Sequence, residues 1–304
     1  MYSLAVAKPV ANLGVSVLSE GPGVRVDPFV LGAQDEASVQ GFAGSPVDVN
    51  PLTYDYLDAI SSAGASLPAA GRYYVAVDSG RDRFDGSSYG GRYVLRSWVN
   101  DVTPPSVRLL TQRVSTGRPT IAVRTLDGQS GVDPASLAIG YRGILVGASR
   151  YDPATGVATF PLPTGAPALK RGTLQVRLAS SDYEEAKNVD TTGTAIMPNT
   201  RTASVTLRVV AGPAVSWLLP GAGACVAGRQ QLLLAASAPA GVRSVRVLLD
   251  GHRVAAAAKR GDRTWLAHWR AAGARKGRHV LTAVVVDRAS RAARVTLRVR
   301  RCGS

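Results

Sequence analysis

Aromatic residues and cysteine are scarce in this chain. Its 304 residues include 4 Phe, 4 Trp and 2 Cys, and aromatic side chains make up 6% of the sequence. No uncharged apolar run approaches the roughly 18–20 residues of a membrane-spanning helix. Residues 1–20 contain no apolar block followed by a small-residue cleavage site, so we expect no membrane span and no signal peptide in this chain.

Acidic residues are nearly absent from the last third of the chain. The formal charge is −4 over residues 1–102, +5 over 103–211 and +14 over 212–304, within a total of +15. This shift and two proline-containing junctions, Thr103-Pro-Pro105 and Ala211-Gly-Pro213, predict domain boundaries. At roughly 100–200 residues per domain, we expect three domains with the bounds 1–102, 103–211 and 212–304.

Long helical periodicity is also missing, and this decides the predicted fold class. Short runs rich in Val, Leu, Thr and Tyr recur about every ten residues between Gly, Pro, Asp and Ser, a pattern typical of β-sandwiches. The sequence predicts an all-β protein of three tandem immunoglobulin-like sandwiches. The weakest stretch is Ala43 to Ala70, which is predicted to be mostly loop with a short helix around Leu52–Ala63.

Seven strand candidates in about 90 residues of the last segment match the number in an immunoglobulin-like sandwich. They are Val215–Leu219, Gln230–Ala236, Val242–Leu249, Arg253–Ala258, Thr264–Trp269, Val280–Val286 and Ala293–Arg300.

Several blocks of the last segment carry a family resemblance. Leu248-Leu-Asp-Gly251 ends a strand in an Asp-Gly turn, a Trp-containing strand follows, and Gly277-Arg-His-Val-Leu281 leads into Ala283-Val-Val-Val-Asp287. This order resembles the bacterial Ig-like modules found in secreted chitinases and proteases. The next turn, Asp287-Arg-Ala-Ser-Arg291, departs from the Asp-x-Ala-Gly-Asn of that family, so any role of its Asn is lost.

The other two segments show related patterns. Asp127-Gly-Gln-Ser-Gly-Val-Asp-Pro-Ala-Ser-Leu137 and Ala179-Ser-Ser-Asp182 look like parts of a second bacterial Ig-like module. Ala70-Gly-Arg-Tyr-Tyr-Val-Ala-Val-Asp78 and Gly91-Arg-Tyr-Val-Leu95 resemble the β-sandwich that follows the catalytic domain of subtilisin-like serine proteases. The resemblance implies that residues 1–102 are such a C-terminal region, with the catalytic domain absent from this chain.

Both cysteines lie at the edges of the last segment. Cys225 precedes its second strand and Cys302 follows its last strand, and these chain ends run side by side in an immunoglobulin-like sandwich. A disulfide here is typical of an oxidising compartment; the alternative is two free thiols in a cytosolic protein. We expect the disulfide and an extracellular or cell-surface location.

The arginines of the last strand alternate with apolar residues. Val295, Leu297 and Val299 would face the core, while Arg294, Arg298 and Arg300 would face the solvent. Such a face attracts polyanions such as an anionic cell-surface polymer or polysaccharide. An ordinary solvated sheet face has the same pattern, so both interpretations stay open.

Two groups of acidic residues are candidates for calcium, which favours several oxygen ligands. Asp78, Asp82 and Asp85 share one loop, although Arg81 and Arg83 between them argue against a metal. In the middle segment, Asp127, Asp133 and Asp182 could gather at one end of the sandwich. Solvated turns are the preferred interpretation of both groups, so the sequence predicts no cofactor, with calcium as the alternative.

The sequence offers no convincing catalytic site. Gly86-Ser-Ser-Tyr-Gly90 matches Gly-x-Ser-x-Gly, but a nucleophile elbow must lie between a strand and a helix, and this motif lies in a polar loop between strands. The three histidines (His252, His268 and His279) lie in the last segment, away from any acidic cluster. Trp217, Trp265 and Trp269 are predicted core residues, with a sugar-stacking platform as the alternative.

These observations lead to an expected function. We expect a non-catalytic secreted or surface protein that serves as an accessory, spacer or binding region of an extracellular subtilisin-like protease, in cis with its catalytic domain. The alternative is a stand-alone adhesin or a protein that binds polysaccharide or another anionic polymer.

Overall fold

The computed structural model describes residues 1–20, 24, 26–32, 39–42, 60–66, 68–81, 84–183 and 199–302. The elements with defined bounds in these residues are β-strands and two 3₁₀ turns, Pro134–Ser136 and Ala271–Gly273, which confirms the all-β fold class. In this part of the chain, no helix has the length and hydropathy that a membrane crossing requires.

The chain divides into two compact units. The first comprises residues 1–106, 126–136 and 180–201, and the second comprises 107–125, 137–179 and 202–304. The strands nevertheless form sheets with their neighbours in sequence, because each sheet draws its strands from residues 2–99, 106–210 or 214–301. The predicted three-domain division at 102/103 and 211/212 stays a prediction.

Residues 2–99 contribute seven strands in two sheets. The strands are β1 (Tyr2–Val6), β2 (Asn12–Glu20), β3 (Asp27–Leu31), β4 (Val39–Phe42), β5 (Ile60–Ser66), β6 (Gly71–Asp78) and β7 (Arg92–Val99). One sheet has the order β1-β6-β3-β4 and the other β5-β2-β7. Leu13 and Val15 of β2 pack with Val30, Tyr73 and Val75 of the opposite sheet, so the two layers share one core.

Strand β5 corrects one expectation. Residues 60–66 pair antiparallel with β2, from Ile60 opposite Leu18 to Ser66 opposite Asn12, so the helix predicted around Leu52–Ala63 is wrong from residue 60 onward. The rest of that prediction lies outside the described residues. Ser, Ala and Gly in this segment give no strand signal of their own, and pairing with the central, buried strand β2 decides its conformation.

The middle of the chain also forms two sheets. Its strands are β8 (Ser106–Leu109), β9 (Arg113–Ser115), β10 (Thr120–Leu126), β11 (Ala138–Tyr141), β12 (Ile144–Gly147), β13 (Arg150–Asp152), β14 (Val157–Pro161), β15 (Gly172–Ser181) and β16 (Thr200–Val210). The sheet orders are β13-β14-β10-β8 and β12-β11-β15-β16-β9. Ile121, Ile139, Phe160, Leu178 and Leu207 are among the fully buried side chains of these strands.

The last segment forms one eight-stranded sheet that contains all seven predicted strands. The strands are β17 (Ala214–Leu219), β18 (Cys225–Val226), β19 (Arg229–Ser237), β20 (Val242–Leu249), β21 (His252–Lys259), β22 (Thr264–Arg270), β23 (Gly277–Asp287) and β24 (Ala292–Arg301). Their order is β17-β19-β22-β21-β20-β23-β24-β18. Trp217 of β17 donates its indole N–H to the Val295 carbonyl of β24 at 3.4 Å, so the sheet folds over onto itself around one core.

The Asp-Gly turn predicted between two of these strands is present. Asp250 and Gly251 have φ values of 49° and 91°, and Leu249 pairs with His252 across the turn. Two successive positive φ angles are the signature of a type I′ hairpin, for which Asp-Gly is a preferred sequence.

Within the second compact unit, the middle sheets pack against the last segment. Ala122 and Val157 form one apolar cluster with Leu218, Leu233 and Ala235. The Thr120 hydroxyl donates to the Asp262 carbonyl at 2.9 Å, and Arg263 donates to the Arg118 carbonyl at 2.8 Å. The junction at Ala211-Gly-Pro213 therefore joins two packed bodies rather than two separated ones.

Candidate functional site

The arginines predicted to share a face do so. On β24, Arg294, Arg298 and Arg300 are exposed, while Leu297 and Val299 are buried. In the antiparallel register with β23, Arg278 is opposite Arg300, Val280 is opposite Arg298 and Val284 is opposite Arg294. Val284 in turn is opposite Arg246 of β20. Because directly opposed residues project from the same face, Arg246, Arg278, Arg294, Arg298 and Arg300 form one exposed surface, which we call the arginine face.

Acidic side chains do not neutralise this face. Asp287 is paired with Arg291 at 2.8 Å, and Asp262 caps its own turn by accepting from the amide and hydroxyl of Thr264. Among residues 212–302, no carboxylate lies within salt-bridge distance of an arginine of the arginine face. The guanidinium groups of the arginine face are therefore available to an external anion.

Part of the arginine face borders an open cavity of about 680 Å³. Arg278, Arg298 and Arg300 line it together with Gly223, Asp250 and His279. Three residues of the arginine face therefore border one concave surface, which can contact an anion from more sides than a flat sheet can.

Asp250 and His279 form an ion pair at this cavity. Asp250 Oδ2 lies 2.6 Å from His279 Nδ1, and Asp250 Oδ1 accepts from the Val280 amide at 2.9 Å. The carboxylate raises the pKa of His279, helped by the Arg275 carbonyl 2.7 Å from its Nε2, and the imidazole lowers the pKa of Asp250. Both ring nitrogens have partners, so the histidine links the Asp250-Gly251 turn to β23 and has no free nitrogen for proton transfer.

The sequence did not predict this pair, since the three histidines were expected to lie away from any acidic cluster. Asp250 follows β20 and His279 lies near the start of β23, and only the pairing of these two strands brings them together. The Asp-Gly turn predicted a position for Asp250, but no local signal identified its partner.

The two cysteines form the expected disulfide. Cys225 and Cys302 have an S–S distance of 2.09 Å and a Cα–Cα distance of 5.6 Å. Short strand β18 pairs parallel with the end of β24, with Cys225 beside Arg300. The bond therefore joins the end of the last strand to the edge strand of the same sheet.

A group of three carboxylates occurs in the first compact unit. Ligand oxygens of Asp101, Asp127 and Asp182 all lie within 4.8 Å of one another. Asp101 and Asp182 are completely buried, and Asp127 is partly buried. Two members of this group, Asp127 and Asp182, were predicted from the sequence to gather at one sandwich end.

The third member of the predicted group is different. Asp133 accepts from the Ala135 amide at 2.9 Å and caps the 3₁₀ turn instead of joining the other two. Its place is taken by Asp101, which follows β7 and precedes Thr103-Pro-Pro105. The backbone carbonyl of Asp101 accepts from the side-chain amides of Asn12 and Asn199, which anchors this linker.

The first predicted calcium loop is only partly described. Asp78 accepts from the Ser79 amide at 2.8 Å, and Asp85 accepts from the Ser87 amide at 2.8 Å. The Ser87 hydrogen bonds lower the pKa of Asp85. Asp82 lies outside the described residues, so calcium binding by Asp78, Asp82 and Asp85 stays a prediction.

The Gly-x-Ser-x-Gly match lies in the loop between β6 and β7, as expected. Ser88 pairs with Arg81 in an isolated bridge, and its hydroxyl accepts from the Gly90 amide at 3.1 Å. The predicted core positions of the tryptophans are also confirmed: Trp217 and Trp269 are 9% and 6% exposed, and Trp265 packs against the same core.

No family model and no curated protein matches this chain. Among solved structures, it is similar to fibronectin(III)-like modules of CbhA from Clostridium thermocellum, with 14% identity, a TM-score of 0.26, and coverage of 64% of this chain and 94% of that one. Dimeric latent PorU from Porphyromonas gingivalis is 13% identical, with a TM-score of 0.38 and coverage of 97% of this chain and 30% of that one. The surface layer protein SbsC, domains 4–9, is 16% identical, with a TM-score of 0.34 and coverage of 79% of this chain and 36% of that one. Similarity at this level carries no inference about function, and the sheets themselves define the fold.

Proposed function

We propose that this chain is a non-catalytic secreted or surface protein whose last segment binds an anionic polymer through the arginine face. The observation that carries the proposal is that Arg278, Arg298 and Arg300 line one cavity with no carboxylate partner among the described residues. The acid of that cavity, Asp250, is already paired with His279.

The chemistry of arginine favours this class of ligand. A guanidinium group offers planar, bidentate hydrogen bonds to carboxylate, sulfate or phosphate and stays charged at any physiological pH. Alternate residues along a strand are about 6.8 Å apart and neighbouring strands about 4.8 Å apart. The arginine face therefore presents a two-dimensional grid of charges, which suits a polymer that carries an anion on every repeat better than a single small anion.

The surroundings of the arginine face support a rigid presentation. The face belongs to the domain that the Cys225–Cys302 disulfide closes, and Val245, Val247 and Leu281 fill the core directly beneath its strands. The apolar cluster around Leu218 and Leu233 joins this domain to the middle sheets. The backbone of such a surface is already ordered before the polymer arrives, so the ordering cost of binding falls on the arginine side chains alone.

An accessory role beside a subtilisin-like catalytic domain is compatible with the same surface, and so is a stand-alone adhesin. In either arrangement, the arginine face would attach the protein to a polymer of the cell surface or of the extracellular matrix. The competing interpretation is that the arginines only keep this sheet face solvated.

Salt dependence separates a site from diffuse charge. The full chain is passed over immobilised heparin and, separately, polygalacturonate at increasing NaCl, and we expect retention at about 0.15 M, where the screening length is about 8 Å. The triple variant Arg294→Ser, Arg298→Ser, Arg300→Ser should elute much earlier. The slope of log K against log salt should become shallower by roughly one for each arginine that no longer neutralises an anion of the polymer.

A matched control keeps the net charge equal. Arg229, Arg270 and Arg288 are exposed arginines of the same segment that do not belong to the arginine face, and replacing these three by Ser removes the same three charges. Equal weakening of retention in both triple variants would contradict the proposal, because only the overall charge would then matter.

A further inference from the structure

Two of the three carboxylates of the first compact unit lack a basic partner that could compensate their charge. Asp101 is completely buried, yet among the described residues neither Asp101 nor Asp127 lies within salt-bridge distance of Lys, Arg or His. The side chain of Arg96 lies beside Gly131, in the loop that follows Asp127, but it is not within salt-bridge distance of Asp101 or Asp127. Carboxylates within 4.8 Å of one another repel strongly in a medium of low dielectric constant, so a cation held between them would stabilise Asp101 and Asp127.

Backbone amides provide hydrogen bonds but no net charge. Asp101 accepts from the Ser130 amide at 2.8 Å and from the Thr103 amide at 3.3 Å. Asp127 accepts from the amides of Gln129 and Gly131 at 2.8 and 2.9 Å. These bonds fix the two carboxylates in place and leave further lone pairs of each group available, since a carboxylate accepts about four hydrogen bonds or ligand contacts.

Ser130 gives a second, independent indication of a ligand. Its side chain is completely buried, and its hydroxyl has no hydrogen-bond partner in the described part of the chain, which is costly for a buried polar group. Its own amide nitrogen lies 2.8 Å from Asp101 Oδ2, and covalent geometry keeps a serine hydroxyl within about 4 Å of that nitrogen. The residue whose amide binds Asp101 therefore also carries a buried hydroxyl oxygen with no hydrogen-bond partner in the described part of the chain.

We propose that Asp101, Asp127 and Asp182, with the Ser130 hydroxyl, bind one Ca²⁺ ion. All the donors are oxygens, the preference of a hard cation. The three carboxylate oxygens lie within 4.8 Å of one another, close enough to be ligands of one ion. A set of three carboxylates favours Ca²⁺, because Mg²⁺ is usually held by one or two carboxylates and keeps several waters.

The ion would connect three separate stretches of the first compact unit. Asp101 lies in the linker after β7, Asp127 follows β10, and Asp182 follows β15. Binding would hold the linker against both loops, so calcium should stabilise this unit. The site is remote in sequence from the arginine face and does not depend on the proposed function.

The first test measures binding by the full chain after removal of calcium with EGTA. We expect one Ca²⁺ per chain by isothermal titration calorimetry, with Mg²⁺ competing weakly. In thermal unfolding, the transition of the first compact unit should move up by about 5–10 °C in excess Ca²⁺. A chain that shows neither binding heat nor a shift of any transition would overturn the proposal.

Two variants and one control identify the ligands. Asp127→Asn keeps an acceptor for the amides of Gln129 and Gly131 but loses a charge, and it should weaken Ca²⁺ binding about tenfold or more. Ser130→Ala should weaken binding while leaving the protein in EGTA as stable as the wild type or more so, because an unpaired buried hydroxyl is removed. Asp152→Asn, in a turn of the second unit, should change nothing.

Using two variants keeps the test decisive even if one of them fails to fold. If Asp127→Asn unfolds, Ser130→Ala still decides, since its side chain makes no hydrogen bond to the described residues. Unchanged Ca²⁺ affinity in Ser130→Ala, or an equal fall in affinity in Asp152→Asn, would overturn the ligand set.

Discussion

The two compact units place their charged side chains in opposite ways. The first unit buries the carboxylates of Asp101 and Asp182 at the ends of strands. The second unit exposes Arg294, Arg298 and Arg300 along one strand, and its Asp262 and Asp287 accept hydrogen bonds from neighbouring residues. The second unit is closed by a disulfide, and the first has none in its described part. Both units are built of β-sheets, but a covalent bond joins the last strand to the sheet edge in the second unit, whereas polar contacts join the loops around Asp101 in the first.

Removing the disulfide should give the largest effect and should fall on the second unit. For the double variant Cys225→Ser, Cys302→Ser, the chain-entropy model predicts a loss of about 4–5 kcal/mol in the free energy of unfolding, since the bond joins residues 77 positions apart. Guanidinium unfolding followed by tryptophan fluorescence measures this change, because Trp217, Trp265 and Trp269 all belong to the second unit.

Trp98 belongs to the first unit and serves as the control in the same experiment. A variant that retains only Trp98 should show an unchanged transition when the disulfide is removed. If the transitions of both units moved equally, the contrast between them would be wrong.

A smaller effect is expected from crowding the first unit. A Cβ at position 14 would overlap Cζ2 of Trp98, a rigid ring that is 3% exposed. Gly14→Ala should therefore destabilise the first unit by about 1–3 kcal/mol through overpacking, visible as a shift of the Trp98 transition.

Gly147→Ala is the matched control in a strand of the second unit. Its added methyl group would have no neighbour closer than 4.0 Å among the described residues, so the free energy of unfolding should change little. A larger loss of stability at residue 147 than at residue 14 would contradict the proposed cause.

The smallest effect concerns the Asp250–His279 pair and its dependence on pH. Because the pKa of His279 is raised, its contribution is complete below the unfolded value of about 6.5 and is lost as pH rises through the folded value. Because the pKa of Asp250 is lowered, its contribution is present above about 3.9 and is lost as pH falls through its folded value.

His279→Gln should therefore reduce stability more at pH 5.5 than at pH 8. The Asp250 side chain is 48% exposed, so we expect a difference below about 1 kcal/mol. Urea unfolding at both pH values measures it, with His268→Gln, an exposed residue of β22, as the control. An equal loss of stability at the two pH values would exclude the ion pair as its source.

Most of the fold could be predicted where burial alternates along a strand. The seven strands of the last segment, the Asp250-Gly251 turn and the exposure of Arg294, Arg298 and Arg300 all follow from local patterns. The strand at Ile60–Ser66 could not, because its small residues take their conformation from pairing with β2.

The group of three carboxylates was predicted less completely than the strands, because it depends on contacts between residues that are remote in sequence. Asp127 and Asp182 were grouped correctly, but Asp133 was included and Asp101 was omitted. A turn aspartate such as Asp133 looks the same in sequence whether it caps its own turn or faces a ligand. Asp101 joins the group because Asn12 and Asn199 hold its backbone, and both residues are remote from it in the chain.

The amino-acid sequence by itself determined which side chains of each strand face inward, where the chain turns, and that the arginines of β24 point to solvent. Tertiary structure alone decided that Asp101 meets Asp127 and Asp182, that Asp250 meets His279, and that the middle sheets pack on the last segment. The reason is physical: the period of burial is a local property of a strand, whereas contacts between loops depend on sheet register and on closing long stretches of chain.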